Sequence, residues 1–348
     1  MNTFFIEFRD PLFSIIVLFS IIFMIALLSY WWSKYKHRED SKYLDNFLEQ
    51  FRALPSHKEL KVLISGGELS EKSWLLLAHS YSKNGNYEKS IEIYNEILEV
   101  GSSENTKETM FLLGKTYFKA GFLERSKQIF LEILKIHPRT PLALHYLLLV
   151  YEYMKDYKSA IDVLEPLDEL GEDISLEKAY LNVLNILSQA NLSQEEKAEK
   201  LLVIYKESHQ LTYIIFQFLF RVNPSLAWKN FDNSKGEELV DILWNLDFKD
   251  LDLDIISKNG YLRELFSARG DINLAKTSSV FELDVLIKLE NRASVTMSFE
   301  YVCENCKNVF PFAFERCTSC HSIDKASTEW TLSRDYQKDF SEENNSFQ

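Results

Sequence analysis

Four cysteines near the C-terminal end are the residues of this chain whose types and spacing best suit chemistry. Cys303 and Cys306 form one C-x-x-C pair, Cys317 and Cys320 form another, and ten residues separate the two pairs. Each pair can turn through a tight knuckle that points both sulfurs at one ion, and four thiolates at about 2.3 Å complete the shell of Zn²⁺. Because such a shell leaves no position for water or substrate, the spacing predicts a structural zinc site.

Three alternatives to four-cysteine zinc stay open. Iron in the same four-sulfur cage would make a redox centre, as in rubredoxins, although the sequence shows no site for a redox partner. His321, next to Cys320, could replace one thiolate, although four cysteines already suffice. Four free thiols in a disordered tail are the third. Zinc is the expected cofactor, and iron is the second candidate.

A small module, predicted to span residues 293–335, must position these cysteines. Its aromatic residues are Phe299, Tyr301, Phe310, Phe312, Phe314 and Trp330. A module of this size cannot fold on its apolar core alone, so the metal must supply part of its stability. No cysteine lies elsewhere in the chain, which favours a reducing compartment over a disulfide-bonded protein.

Three similar segments precede this module, at steps of 36 and 34 residues. The spacing is close to the tetratricopeptide period of about 34 residues, in which each repeat is a helix-turn-helix pair. Each segment has a position of close helix contact, an aromatic residue, a turn residue, a small residue and a large one. These are, in order, Ala78, Gly114 and Leu148; Tyr81, Tyr117 and Tyr151; Gly85, Gly121 and Lys155; Ser90, Ser126 and Ala160; and Tyr94, Phe130 and Leu164.

Helical periodicity continues beyond Gly171 without the repeat signature. The stretches 176–189 and 194–207 are typical of a degenerate fourth helix pair, and 213–220 and 238–244 predict further helices whose register the sequence does not fix. The apolar run 213–220 is too short to cross a membrane and therefore predicts a buried helix.

An uncharged segment of 21 residues, 12–32, lies near the N-terminus. It is long enough to cross a hydrocarbon core of about 30 Å, and its last three residues, Tyr30, Trp31 and Trp32, suit a membrane–water interface. Basic residues follow it: Lys34, Lys36 and Arg38. Because the leader lacks the features of a cleaved signal peptide, the sequence predicts a retained membrane anchor with the remaining chain in the cytoplasm.

The first helices of the repeats carry basic residues on the side that lines the groove of a tetratricopeptide protein. These residues are Lys72, His79, Lys83, Lys115, Lys119 and His145. One interpretation is a docking surface for an acidic or carboxylate-ending peptide, which charge-assisted hydrogen bonds would hold. The other is a solvated helix face with ordinary lysines.

The overall charge and the missing motifs exclude other classes of protein. A net charge of −13 argues against a general nucleic-acid binder, which needs a dense Lys/Arg surface. The chain lacks a zinc-protease motif, a dinucleotide-binding glycine motif and a nucleophile elbow. Gly114-Lys115-Thr116 ends like a phosphate-binding loop, but Thr109 stands where that loop needs glycine. We therefore expect no catalytic activity.

Together, the anchor, the repeats and the C-x-x-C-x10-C-x-x-C pattern resemble the lipopolysaccharide assembly protein B family of Gram-negative bacteria. The repeat residues that carry the resemblance are Leu113, Gly114, Tyr117, Ala120, Gly121, Phe130, Ala143, Leu144, Leu147, Leu148, Tyr151, Ala160, Ile161, Asp162, Val163, Leu170 and Gly171. The spacing from Cys303 to Cys320 is also that of the family. One departure is Lys307, which stands where the family's knuckles usually carry glycine.

The resemblance implies an inner-membrane adaptor with a rubredoxin-like domain beside its repeats. Such adaptors present the deacetylase that commits lipid A synthesis to a membrane-bound ATP-dependent protease, reached here through residues 12–32. The main alternative is a general tetratricopeptide scaffold for an envelope complex unrelated to proteolysis, and a third is an iron electron-transfer protein. Homo-oligomers stay open.

The expected fold is an all-α tetratricopeptide-repeat solenoid with an N-terminal transmembrane helix and a small C-terminal rubredoxin-like zinc domain. Its predicted segments are a transmembrane anchor (1–33), a juxtamembrane helical segment (34–69), the repeats (70–206), a degenerate helical region (207–292), the metal domain (293–335) and a polar tail (336–348).

Overall fold

A computed structural model describes residues 23–24, 27–28, 57–66, 69–100, 106–289 and 295–334. Most of the predicted membrane anchor and the whole predicted polar tail lie outside these residues. Four anchor residues are described, and they are helical and exposed: Phe23, Met24, Leu27 and Leu28. Across the described ranges, none of the helices is both long and apolar enough to cross a membrane. The structure therefore gives the anchor no support, and it stays a prediction.

The described chain is helical up to residue 288 and then forms a small sheet. Its α-helices are α1 His57–Ser65, α2 Glu71–Lys83, α3 Tyr87–Val100, α4 Thr106–Lys119, α5 Leu123–Ile136, α6 Pro141–Tyr153, α7 Tyr157–Asp162, α8 Leu164–Glu169, α9 Ser175–Ser188, α10 Gln194–Ser208, α11 Thr212–Val222, α12 Pro224–Asn230, α13 Val240–Trp244, α14 Leu253–Lys258, α15 Gly260–Arg269 and α16 Phe281–Lys288. Two 3-10 helices, Asn233–Leu239 and Phe248–Asp250, flank α13. This architecture confirms the predicted helical repeats.

The chain divides into two compact units, one up to Tyr146 and one from Leu147 onward. In the first unit, α2 pairs with α3 and α4 with α5, as the repeat pattern predicts. Gly114 is buried where these helices meet, and a Cβ atom there would lie 3.0 Å from the Phe130 ring. The Ser126 hydroxyl also donates a 2.9 Å hydrogen bond to the Gly114 carbonyl. The small residues therefore sit where the backbones approach closely.

The predicted turn residues all adopt the left-handed backbone conformation. Gly85 and Gly121 have a φ of +79°, and Lys155 has a φ of +59°. Glycine adopts this conformation without steric cost, whereas a residue with a Cβ atom pays roughly 1 kcal/mol. The third repeat therefore keeps the same turn at some cost in stability.

The second helix of the third repeat differs from the prediction, because it is broken into α7 and α8. Pro166 lies in the first turn of α8. Proline has no backbone N–H to donate to the carbonyl four residues earlier, and its ring clashes with that carbonyl. The break one turn before Pro166 follows from this missing hydrogen bond. Both pieces still contribute buried side chains, Ala160 and Leu164.

The second unit has one large apolar core, which runs from α9 to the sheet. The predicted fourth pair is present as α9 and α10, and Ser193 and Glu196 start α10 with a capping box. The predicted buried helix is α11, whose Ile215, Phe216 and Leu219 are 0% exposed. The stretch 238–244 is helical but divides between a 3-10 helix and α13.

The sheet has three antiparallel strands in the order β2-β1-β3. They are β1 Val295–Cys303, β2 Val309–Phe310 and β3 Ala326–Arg334. β1 pairs with β3 along its whole length, from Val295 opposite Arg334 to Cys303 opposite Ala326. Met297 and Ile323 from this region belong to the apolar core of the second unit. The sheet is therefore packed on helices rather than tethered beside them.

Candidate metal centre

The two cysteine pairs form two knuckles with the same backbone geometry. In the first knuckle, the N–H of Cys303 donates to the carbonyl of Asn308 at 2.9 Å, and the N–H of Lys307 donates to the carbonyl of Cys303 at 2.8 Å. The second knuckle repeats both bonds at the same lengths, from Cys317 to Ser322 and from His321 to Cys317. Fourteen positions separate each residue from its counterpart, so the local sequence determines the turn twice.

A left-handed residue follows the second cysteine in both knuckles. Lys307 and His321 each have a φ of +61°. Lys307 therefore makes the turn that glycine usually makes, at the steric cost of its Cβ atom. His321 has the same turn role, and the group of metal-ligating atoms that the described chain brings together consists of cysteine sulfurs alone. His321 is not needed as a ligand.

The four sulfurs fit a tetrahedral ion. All lie within 4.8 Å of one another, and the Sγ atoms of Cys303 and Cys320 and of Cys306 and Cys317 are each 3.6 Å apart. Four sulfurs at about 2.3 Å from a central zinc would be about 3.8 Å apart, which is close to these values. The four sulfurs thus form a cage that suits a tetrahedral ion, and this geometry fits iron as well as zinc.

Hydrogen bonds favour the charged form of some of these thiols. The Ser322 hydroxyl lies 3.0 Å from Cys320 Sγ, and this contact and the Ser322 N–H lower the pKa of Cys320 to about 5. Burial, in contrast, raises the pKa of Cys317. Four neighbouring thiolates repel one another, and the positive charge of a bound cation offsets that repulsion and so favours deprotonated thiols. The donor set therefore suits a metal better than four free thiols.

Arg316, directly before Cys317, joins the second knuckle to two helices. Its Nη1 donates to the carbonyl of His321 at 2.9 Å. Its Nη2 lies 2.8 Å from Glu152 in α6 and 2.7 Å from Glu177 in α9. The guanidinium also stacks 5.1 Å from the centre of the Tyr180 ring. Only 7% of the Arg316 side chain is exposed, so this is a buried charge network.

Two further polar contacts join the metal domain to the helices. Tyr301 of β1 and Tyr213 of α11 both donate to Oδ2 of the buried Asp241, at 2.6 Å and 2.5 Å. The backbone N–H of Leu211, at the start of α11, donates to Asp324 at 3.0 Å. The metal domain therefore contacts α6, α9, α11 and α13 through hydrogen bonds and ion pairs of particular polar side chains.

In the first unit, four of the six predicted groove residues form an electrostatic cluster, which we call the cationic cluster: His79, Lys83, Lys115 and Lys119. Burial and then the charges of the three lysines lower the pKa of His79. Burial and then Lys115 and Lys83 lower the pKa of Lys119. Because the three lysines all act on His79, the four side chains lie near one another on α2 and α4.

The other two predicted groove residues are Lys72 and His145. Lys72 is exposed in the first turn of α2, two helical turns before His79. His145 is half-buried on α6. Tyr146, its neighbour, has the Nζ of Lys115 over its ring at 5.4 Å.

The match to a family model supports the repeat fold. A model described as a tetratricopeptide repeat matches residues 71–100, which are α2, α3 and their turn. No curated protein matches the sequence significantly. Two solved structures are similar: MamA from residue 41 to its end, from Desulfovibrio magneticus RS-1, and a MamA RS-1 ArsTM double mutant. The family match and the observed helix pairs show a helical protein with tetratricopeptide repeats, a class that typically serves as a scaffold for protein interactions.

The similarity to these structures is limited. Both are 18% identical to this chain, with a TM-score of 0.36. The matches cover 46% of this chain and 90% and 89% of the two solved chains. A likeness at this level carries no argument about function, so the family match over one repeat and the four-cysteine cage are the findings that define this protein.

Proposed function

We propose that this protein is an inner-membrane adaptor that limits lipopolysaccharide synthesis. Its repeats would bind the deacetylase that commits lipid A synthesis, and residues 12–32 would bring it to a membrane ATP-dependent protease. Two observations support the proposal: the repeat and cysteine patterns that resemble the lipopolysaccharide assembly protein B family, and the matched tetratricopeptide repeat. The four-cysteine cage would stabilise the fold rather than catalyse.

The cationic cluster is the observation that carries the docking part of the proposal. Three lysines and a histidine lie near one another in a protein whose net charge is −13. Burial, and then the repulsion between these charges, lowers the pKa of His79 and of Lys119. A carboxylate placed among them would relieve this repulsion and would form charge-assisted hydrogen bonds. The cluster therefore suits an acidic or carboxylate-ending segment of the delivered protein.

Charge reversal tests the docking surface. We expect Lys83→Glu/Lys119→Glu to reduce capture of the deacetylase from membranes at least fivefold, and we expect the wild-type interaction to weaken with salt. A matched control, Lys107→Glu/Lys135→Glu, makes the same change in net charge at exposed positions outside the cluster. Equal capture by the two double variants would refute the docking role.

The anchor is tested by exchanging residues 12–32 for an unrelated membrane helix and identifying the captured proteins by mass spectrometry. The proposal expects the protease to be lost while the deacetylase is retained. Depletion of this protein should also raise the abundance of the deacetylase. If that abundance does not change, the adaptor proposal is wrong.

The alternative is a scaffold for an envelope complex unrelated to proteolysis, which the repeats support equally well. Recovery of a secretion or division machine, without the protease or the deacetylase, would favour it. An electron-transfer protein is the third candidate, because the sulfur cage also fits iron. Visible absorption of the purified protein would reveal iron, whereas zinc thiolates are colourless.

A further inference from the structure

Arg316 is placed to respond to both the metal site and the helices. It precedes the ligand Cys317 and pairs with Ile323 through an isolated antiparallel bridge that closes the second knuckle. Its Nη1 donates to the carbonyl of His321, the left-handed residue that completes the knuckle. The position of the guanidinium therefore depends on the turn that points Cys317 and Cys320 at the metal.

The other edge of the guanidinium binds carboxylates on two helices. Nε and Nη2 bind both carboxylate oxygens of Glu152, at 3.1 Å and 2.8 Å. Nη2 also binds Glu177 at 2.7 Å. The Tyr180 hydroxyl donates to Glu152 at 3.3 Å. Because 90% of the Glu152 side chain is buried, water cannot replace Arg316 fully as its partner.

We propose that Arg316 is a positioning residue through which metal binding at the four cysteines and the packing of helices α6 and α9 stabilise each other. Without metal, no ion holds the two cysteine pairs together, so the second knuckle is held less tightly and the contacts of the guanidinium with Glu152 and Glu177 weaken. Breaking a buried ion pair leaves an uncompensated charge and is strongly destabilising. The ends of the two helices must then loosen or rehydrate.

The coupling must work in both directions, because linkage between two equilibria is reciprocal. Weakening the contact on the helix side should therefore weaken metal binding, although Glu177 is 139 positions away from Arg316. A role of Glu177 confined to the stability of α9 would not change metal release. The inference goes beyond the proposed function, since it does not depend on which partner the repeats bind.

The first experiment measures transfer of Zn²⁺ from the full-length, zinc-loaded protein to an excess of a chromophoric chelator. We expect Glu177→Gln to release zinc at least fivefold faster than the wild type, and Arg316→Met at least tenfold faster. Lys325→Met is the control, since Lys325 is an exposed cation of the same domain. It should behave like the wild type. Arg316→Lys should restore part of the loss.

The double variant Glu177→Gln/Arg316→Met decides whether the two residues act together. If Arg316 carries the coupling, the double variant should release zinc no faster than Arg316→Met alone. Effects that multiply would show that Glu177 acts independently and would overturn the proposal. Unchanged release from Glu177→Gln would overturn it too, and this variant keeps the test valid if Arg316→Met does not fold.

Hydrogen exchange gives a second, independent test. Removing zinc from the wild type should speed amide exchange in α9 at least tenfold, and returning zinc should reverse the change. In Arg316→Met, exchange of α9 should already be fast with zinc bound and should change little when zinc is removed. If α9 of the wild type exchanges equally with and without zinc, the coupling does not exist.

Discussion

Replacing Tyr301 by phenylalanine removes one hydroxyl and little else, and it tests how the metal domain is attached to the helices. The Tyr301 hydroxyl donates at 2.6 Å to Asp241, which is only 5% exposed. A hydrogen bond to a charged group contributes about 1.5–3 kcal/mol, and a buried carboxylate that loses a donor keeps its desolvation cost. We therefore expect Tyr301→Phe to cost about 2 kcal/mol.

Amide hydrogen exchange in β1 and α11 measures this cost locally, so unfolding of the other unit does not obscure it. A loss of about 2 kcal/mol corresponds to exchange roughly 30-fold faster. Tyr261→Phe is the matched control. Its hydroxyl is also buried, but no partner for it is found within the described residues, so removing it should cost nothing or should stabilise slightly.

The comparison of Tyr301→Phe with Tyr261→Phe shows whether the hydrogen bond or the aromatic packing holds the metal domain. If Tyr301→Phe leaves exchange in β1 unchanged, the hydroxyl contact with Asp241 does not hold the domain. If both variants speed exchange equally, the effect comes from aromatic packing rather than from the hydrogen bond. Either result would refute the reasoning that treats Asp241 as the shared acceptor of Tyr301 and Tyr213.

Three other outcomes follow from the site and its turns. Cys303→Ser should lower bound metal and loosen the terminal module, and unchanged metal content and melting temperature would contradict it. Lys307→Gly should stabilise the module by about 0.5–1 kcal/mol, because glycine adopts a φ of +61° without a steric cost. The control Glu304→Gly changes a residue without positive φ and should destabilise the module. Thermal melting of the two variants distinguishes these outcomes. Burial and Asp241 raise the pKa of Tyr213 and of Tyr301, so their stabilisation is complete below about pH 10 and is lost as the pH rises further. Unfolding monitored from pH 9 to pH 12 should show this loss, and a flat profile would contradict it.

Much of the local architecture was predictable from short-range patterns. The repeat signature predicted the helix pairs and the turns at Gly85, Gly121 and Lys155, because these features depend on residues close in sequence. The cysteine spacing predicted the sulfur cage for the same reason. The break between α7 and α8 had a signal, Pro166, which the repeat pattern concealed. The anchor at 12–32 stays a prediction.

The residues that attach the metal domain were missed, and little in the sequence could have found them. Arg316, Glu152 and Asp241 are ordinary charged residues in a chain that is 26% charged, and most charges of this kind lie on solvated faces. Arg316 is 164 positions from Glu152, and Asp241 is 60 positions from Tyr301. No periodicity connects residues at such separations, so only the folded chain shows that they meet.

The sequence by itself therefore determined the repeating helix pairs, their turns and the two knuckles, since each depends on backbone preferences and contacts within about one repeat. Only the tertiary structure decided where the knuckles lie, because that depends on burying Arg316 and Asp241 against partners distant in sequence. Buried charges tolerate few partners. Because a buried charge needs a particular partner, these contacts are specific once the chain has folded, although the separation of the partners in sequence prevented their prediction.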